Sequence, residues 1–398
     1  MTRPFLKSAT ALAVLCMLSA PAWAEADAQA LTNALVRQFE KSGTELTIGA
    51  ATSDGDDVVL TDVSIKPGEA NAAEIGEIRL QDVTEDDTGF RIGAIEAPAF
   101  SMSKDGMTLD FGGAAITGLQ VPKENEPDPV RQISVLLEGA TMGPVRVSEG
   151  DATLFKMDGM VYTASAYEQG QPMLSEMVIE GVEADMTKLP DEKARAVMQA
   201  LGYPTLSGGM TMKGRWDPAG GRMEINEWLL DMTDAAALNI TMDLSGFTTE
   251  FMTQLQEIAA KRESGEMNEQ AMGFAMMGLM QQLSFNSATI ALDDASLTNR
   301  ILDFVAAQQG AKRQDVVNMA KGMMPILLSQ LQNPSFASMV SKAVGEYLDD
   351  PQTLTVEAEP DAPVPAPQIM GAAMGAPQTI PDVLAVTVTA NECGTITC

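Results

Sequence analysis

Leu238, Ile240, Met242 and Leu244 alternate with Asn239, Thr241, Asp243 and Ser245. A strict period of two places the apolar set on one side of a strand and the polar set on the other, which no helix can do. Just upstream, Met210, Met212 and Trp216 share one strand face, and Asp217-Pro218-Ala219-Gly220-Gly221 makes a turn. Met223 and Ile225 lie on the return strand, and Trp228, Leu230 and Met232 continue it in the opposite phase. That phase change predicts a bulge between Glu227 and Trp228. The three segments read as an antiparallel meander with one buried and one wet face.

The same period recurs toward the N-terminus, at 59–65, 75–80, 92–95, within 107–119, and at 133–137, 145–147, 152–157 and 177–182. Asp54-Gly55-Asp56 and Asp86-Asp87-Thr88-Gly89 punctuate it as turns, and 122–129 is a polar, Pro-rich loop. Ile75-Gly76-Glu77-Ile78 and Ile92-Gly93-Ala94-Ile95 form a faint repeat, whose shape Met142-Gly143-Pro144-Val145 shares; each suits one strand. Helical spacing holds over 27–41 through Leu31, Leu35, Val36 and Phe39, and over 191–201 behind Pro190. From Thr248 helices dominate. Phe251, Leu255 and Ile258 mark one, and Met272, Met276, Met280 and Leu283 mark the next. After a strand at 284–292, a helix is expected near the cap Ser296, then one containing Pro325, then one capped by Asn333 with Pro334 behind it. Strands at 353–358 and 383–390 flank a linker-like Pro-rich loop at 360–367. The expected fold is α+β: an extended, mainly antiparallel β-sheet with a helical C-terminal half packed on it.

Composition narrows the function. The chain of 398 residues has 25 Lys+Arg against 55 Asp+Glu, no His and a net charge of −30. The missing His removes Ser-His-Asp triads and imidazole metal sites. The acidity opposes nucleic acid and anionic membrane surfaces. Arg3 and Lys7, the apolar run 9–20 and Ala22-Trp23-Ala24 read as a secretory signal. The expected organisation is a signal peptide at 1–24, a mainly β region at 25–189, strands plus helices at 190–392 and a flexible tail at 393–398. The mature chain then starts at Glu25 in the periplasm. Cys393 and Cys398 lie in that tail, either bridged or idle.

The run Ser53-Asp-Gly-Asp-Asp-Val-Val-Leu-Thr-Asp-Val63, the many short amphipathic strands, and the tail segments Pro351-Gln-Thr-Leu-Thr-Val-Glu-Ala-Glu-Pro360 and Val386-Thr-Val-Thr-Ala-Asn391 carry a resemblance. Together they look like uncharacterised secreted proteins of proteobacteria, which in strand pattern are similar to AsmA-like envelope proteins. That resemblance implies long curved β-sheets that shield lipid in an apolar groove. The chain departs from it in its C-terminal helices and in the absence of a long apolar anchor.

Chemistry-bearing clusters are few. Met267, Met272, Met276, Met277 and Met280 crowd one helical segment, where thioethers could hold Cu(I) or simply pack; Met scattered through the strands favours packing. Asp54, Asp56 and Asp57, then Glu85, Asp86 and Asp87, and the pairs Asp293–Asp294 and Asp349–Asp350 could offer oxygens to Ca²⁺, but fall where turns expose them. Trp216 and Trp228 occupy core-type strand positions, and no nucleophile elbow, P-loop or dinucleotide fingerprint occurs. No catalytic, cofactor-binding or metal residue is assigned, and no cofactor is expected. The expectation is a non-enzymatic periplasmic protein binding an apolar ligand, possibly lipid, between sheet and helices. The alternative is a structural or protein-interaction component of the cell envelope. Binding to anionic vesicles is expected to be negligible, and to neutral ones weak or absent.

Overall fold

A computed structural model describes residues 26–41, 44–68, 72–133 and 135–392. The signal segment 1–24 and the tail cysteines Cys393 and Cys398 lie outside the described residues. The chain opens with helix α1 (Ala28–Lys41), whose first turn donates two N–H groups, from Gln29 and Ala30, to the Asp27 carboxylate. Eight strands follow: β1 (Thr44–Thr47), β2 (Ala50–Asp54), β3 (Asp57–Pro67), β4 (Ala73–Glu85), β5 (Gly89–Ala97), β6 (Phe100–Lys104), β7 (Met107–Phe111) and β8 (Ala114–Pro122). After the short helix α2 (Pro129–Ile133) come β9 (Gly139–Met142), β10 (Val145–Glu149), β11 (Ala152–Met157), β12 (Gly159–Ala164) and β13 (Met173–Asp185). Helix α3 (Glu192–Ala200) precedes the meander β14 (Thr205–Asp217), β15 (Arg222–Met232) and β16 (Ala236–Ser245). Then follow α4 (Thr249–Glu263), α5 (Glu269–Met280), β17 (Ser284–Asp294), α6 (Leu297–Gln309), α7 (Arg313–Leu328) and α8 (Pro334–Asp349). The chain closes with β18 (Thr353–Ala358), β19 (Val364–Pro365), α9 (Ala366–Gly375), α10 (Ile380–Val383) and β20 (Val386–Ala390).

Every strand pairing is antiparallel, and the strands form one sheet. Read from pairing to pairing, the order is β20-β18-β17-β16-β15-β14-β13-β12-β9-β8-β5-β4-β3, with β1 and β2 on the far side of β3. The sheet runs without interruption from the mainly β region into the helical half, through the long ladder between β13 and β14. The fold is therefore α+β, as the alternation predicts.

Residues directly opposite each other in an antiparallel pair point to the same face. One row of such partners crosses thirteen strands without a polar charge: Val388, Val356, Ile290, Ile240, Trp228, Met212, Met177, Tyr162, Ala140, Ile116, Ile95, Leu80 and Val58. Helices cover both ends of this row. Leu31 and Leu35 of α1 bury Val58 and Leu80, while Val340, Ala343 and Tyr347 of α8 bury Val356 and Val388. The opposite face carries Thr211, Thr241, Thr289 and Thr355, together with cross-strand ion pairs such as Lys213–Glu227, Arg215–Glu224 and Arg222–Asp243.

A crease crosses the sheet. Four long strands break at aligned positions: β5 from β6 at Pro98–Ala99, β7 from β8 at Gly112–Gly113, β9 from β10 at Gly143–Pro144, and β11 from β12 at Asp158. Gly112 N–H donates to the Pro144 carbonyl at 2.7 Å and Gly143 N–H to the Gly113 carbonyl at 2.8 Å, so the breaks are bonded to one another. In β13 the crease continues as a register shift that includes Gly181, at φ +64°. Gly113 sits at φ +91°, and a Cβ there would lie 2.9 Å from the Ala97 carbonyl oxygen.

Several expectations need correcting. The described residues of segment 133–137 form no strand: Asp128 accepts the Val130 N–H, Pro129 begins a helical turn that runs to Ile133, and Leu136 forms a single bridge, to Gln120. The Met142–Val145 repeat straddles the crease instead of filling one strand. The last strand starts at Val386, because α10 and the positive φ of Ala385 consume 383–385. The Pro-rich 360–367 loop contains β19 and the start of α9, a helix the sequence pattern does not announce. Ser296 makes no side-chain cap; Asp294 accepts the Thr298 N–H instead, at 2.8 Å. Nor is the polar side of β16 wet, since all its residues from Ala237 to Ser245 are half-buried. The bulge falls where the phase change puts it, at Asn226 and Glu227.

On that polar face Asp243 accepts hydrogen bonds from Arg222 and Asn286. Burial pushes its pKa up, but the hydrogen bonds from Arg222 and Asn286, with the Arg222 charge, outweigh it and hold the carboxyl below its ordinary value. A depressed carboxyl stabilises the fold above its unfolded-state pKa, about 4, and that stability is lost as pH falls through the folded value. Asp243→Asn should therefore lower stability at pH 7, with the gap to wild type closing below about pH 4 in denaturant titrations. Gly113→Ala should cost about 1–3 kcal/mol through its φ and its clash with the Ala97 carbonyl, read from the denaturation midpoint.

Candidate apolar binding site

Between the two helix-covered ends, the middle of the apolar face meets a wall built from loop and helix. A cavity of about 420 Å³ lies there, within the roughly 300–1,000 Å³ range of small-molecule sites. Its floor is sheet. Tyr162 and Ala164 come from β12, Met173 from β13, Met212 and Trp216 from β14, and Met223 and Ile225 from β15. Register places them together: Tyr162 and Met212 flank Met177, and Met173, Trp216 and Met223 lie in one row. The β15 bulge at Asn226 adjoins Ile225, and bulges commonly re-aim side chains beside sites.

The wall is segment 135–137, Tyr167, Phe247 and Met252 of α4. Its own small core contains Val130, Leu136 and Tyr167, with Met173 and Trp216 packed against it. Four hydrogen bonds fix it. The Tyr167 hydroxyl donates to the buried Asp128 carboxylate at 2.7 Å, while the other Asp128 oxygen accepts the Val130 N–H at 2.9 Å. Arg131 donates to Gln120 at 2.6 Å, and its guanidinium lies over the Tyr167 ring. Gln256 of α4 donates to the Ile133 carbonyl at 2.7 Å, which ties helix to loop. Burial first, and then the Asp128 hydrogen bond, push the Tyr167 phenol far up, so it stays a neutral donor. Trp216 spends its indole N–H on the Phe247 carbonyl at 2.7 Å, leaving its ring as apolar lining.

The charges near the rim are engaged. Arg91 grips Glu138 through both carboxylate oxygens at 3.0 Å, while Arg215 and Glu224, whose strand segments border the cavity, turn to the opposite face and pair there at 2.7 Å. The site thus offers thioether, aromatic and aliphatic surface with paired polar groups at its edge. Such a lining takes up an apolar molecule, and Met adapts to its shape.

Other candidates fall elsewhere. A larger trough, about 910 Å³, follows the crease and includes Arg79, Glu96, Asp158 and Glu180. It is open, and Arg79 already bonds Asp54 at 3.0 Å and Asp57 at 2.9 Å, so the first acidic cluster closes on an arginine. Asp86 accepts from Thr88 and Gly89 within its own turn, and Glu85 pairs with Lys123. Asp294 serves Thr298 and Tyr347, and Asp349 pairs with Lys321. Of the methionines in α5, Met276 and Met280 pack on Phe251 and Leu279, while Met277 is exposed. Trp228 belongs to the same apolar row as Met212. The wall escapes a pattern search because the apolar run at 133–137 imitates a strand; the Asp128-Pro129 cap is the local signal that reveals it.

Tyr167→Phe removes the donor to a buried carboxylate and should cost about 1–3 kcal/mol of stability, measured by denaturant titration. Because the wall is what loosens, thermolysin should cut near 126–137 earlier in the variant than in wild type.

A family model described as an uncharacterized protein matches residues 229–391, which begins in β15 and takes in α4–α10. No curated protein matches the chain.

Proposed function

We propose that the chain is an exported, non-enzymatic protein that binds an apolar ligand, an acyl chain in particular, in the cavity between the sheet and the α2–α4 wall. One observation carries the reading: the cavity of about 420 Å³ opens on the stretch of the apolar row that neither α1 nor α8 covers. A row consumed wholly by core packing would leave no such space. Glu138 is paired with Arg91, and Lys213, Arg215 and Glu224 turn to the opposite face and pair there, which leaves no spare charge at the rim to orient a polar substrate. The likeness in strand pattern to AsmA-like envelope proteins supports the same reading. So does the N-terminal signal pattern, which directs the chain to the periplasm, where free lipid needs shielding from water.

Native mass spectrometry of protein purified from periplasm, followed by lipid extraction, tests both halves. The expected species starts at Glu25 and carries a non-covalent lipid mass. Met212→Glu places a charge on the cavity floor and should weaken binding of a fluorescent fatty acid by roughly tenfold or more. A folded, ligand-free protein whose fatty-acid affinity ignores Met212→Glu would show the apolar face to be packing surface alone.

A further inference from the structure

Three stretches of this acidic chain are empty of acid. No charged residue occurs between Glu269 and Asp293, none between Asp361 and Asp382, and no Asp or Glu between Asp315 and Glu346. They contain α5, α9, α7 and the start of α8. Elsewhere such apolar stretches would be buried, but these helices lie at the surface. Phe274 of α5 is 66% exposed, Met374 of α9 is 80% exposed, and Ile326 and Leu327 of α7 are 69% and 56% exposed. On α7 the exposed Met319, Met323, Ile326 and Leu327 recur at helical spacing, and exposed Leu331 follows just beyond. They make one outward stripe.

The stretches are joined in space. Ala366, at the start of α9, donates its N–H to the Leu283 carbonyl just after α5 and packs in the cluster of Met276 and Met280. Asn333, at the corner between α7 and α8, donates to the Gln378 carbonyl and the Asp382 carboxylate, a few residues beyond Met374. Helix α9 therefore bridges from the end of α5 to the α7–α8 corner.

We infer that this helical surface docks on the uncharged apolar–water interface of a lipid bilayer. Charge decides among the occupants. A basic partner would find acid only at the margins, and already engaged: Asp349 with Lys321, Glu346 with Lys342 and Asp382 with Asn333. An anionic partner would find cations already engaged: Lys321, 2.6 Å from Asp349, Lys342, 3.9 Å from Glu346, and at the start of α7 Arg313, which grips Asp303. A second copy would bring another −30 alongside the first. An interface without net charge meets none of these costs, and affinity then comes from the apolar area buried. Sequence alone expects weak or no binding to neutral vesicles; the inference departs from that expectation and agrees with the one for anionic vesicles.

Flotation of the purified protein with phosphatidylcholine vesicles tests the docking. Wild type should float, with no gain when anionic lipid is added or salt is lowered. Ile326→Gln with Leu327→Gln replaces two exposed side chains without adding charge and should reduce the bound fraction by roughly tenfold or more. Met374→Asp should act in the same direction from a different helix. Fatty-acid affinity in solution should be unchanged in both variants, which separates this surface from the cavity. Absence of flotation by wild type, flotation that ignores both variants, or a salt-sensitive gain with anionic vesicles would overturn the inference. So would a dimer in analytical ultracentrifugation that the Ile326/Leu327 variant dissociates.

Discussion

The ladder between β13 and β14 holds the molecule together. It pairs Met173 with Trp216 at one end and Asp185 with Thr205 at the other. Backbone groups buried in such a ladder must stay paired, because an orphaned N–H or C=O costs about as much as a lost hydrogen bond. The two regions on either side therefore cannot rotate independently, and the apolar row continues from Met177 to Met212 without a step. The cavity depends on this directly, since its floor takes side chains from both strands and from their outer neighbours β12 and β15.

The contrast between the two faces follows from the same register. On one side, aliphatic, thioether and aromatic side chains accumulate in line. On the other, Thr and charge pairs sit opposite one another, as at Lys213 and Glu227. Exposed pairs of this kind contribute little stability each. Their effect is on register: a slip by one residue would turn Met210, Met212 and Trp216 outward and bring Lys213 and Arg215 onto the apolar side.

Much of this could be read before any coordinates. The meander at 205–245, its bulge, the helix at 28–41 and the Asn333 cap all follow from local patterns whose physical cause is local. What escaped has non-local causes. The residues at 133–137 carry a strand-like apolar run, yet 135–137 form a wall because Asp128 caps a turn and Tyr167, far along the chain, holds Asp128 in place. The polar residues of β16 look water-facing in sequence, but neighbouring strands and partners such as Arg222 shield them. The cavity itself was foreseeable only as a class of site between sheet and helices. Which residues line it depends on pairings that join β12 to β15 across the sheet.

Among the described residues the sheet remains open along its length, so it has edges. At one end the outermost strand is β20, Val386–Ala390; at the other are β1, Thr44–Thr47, and β2, Ala50–Asp54; beside the crease lies β6, Phe100–Lys104. Each is no more than five residues long. β6 ends on Lys104 and starts just behind Pro98, and α8 packs against β20. Short, charged or covered edges make poor templates for another chain's backbone. A protein with an apolar face this long is thereby kept from polymerising strand upon strand, and its stickiness is confined to side chains.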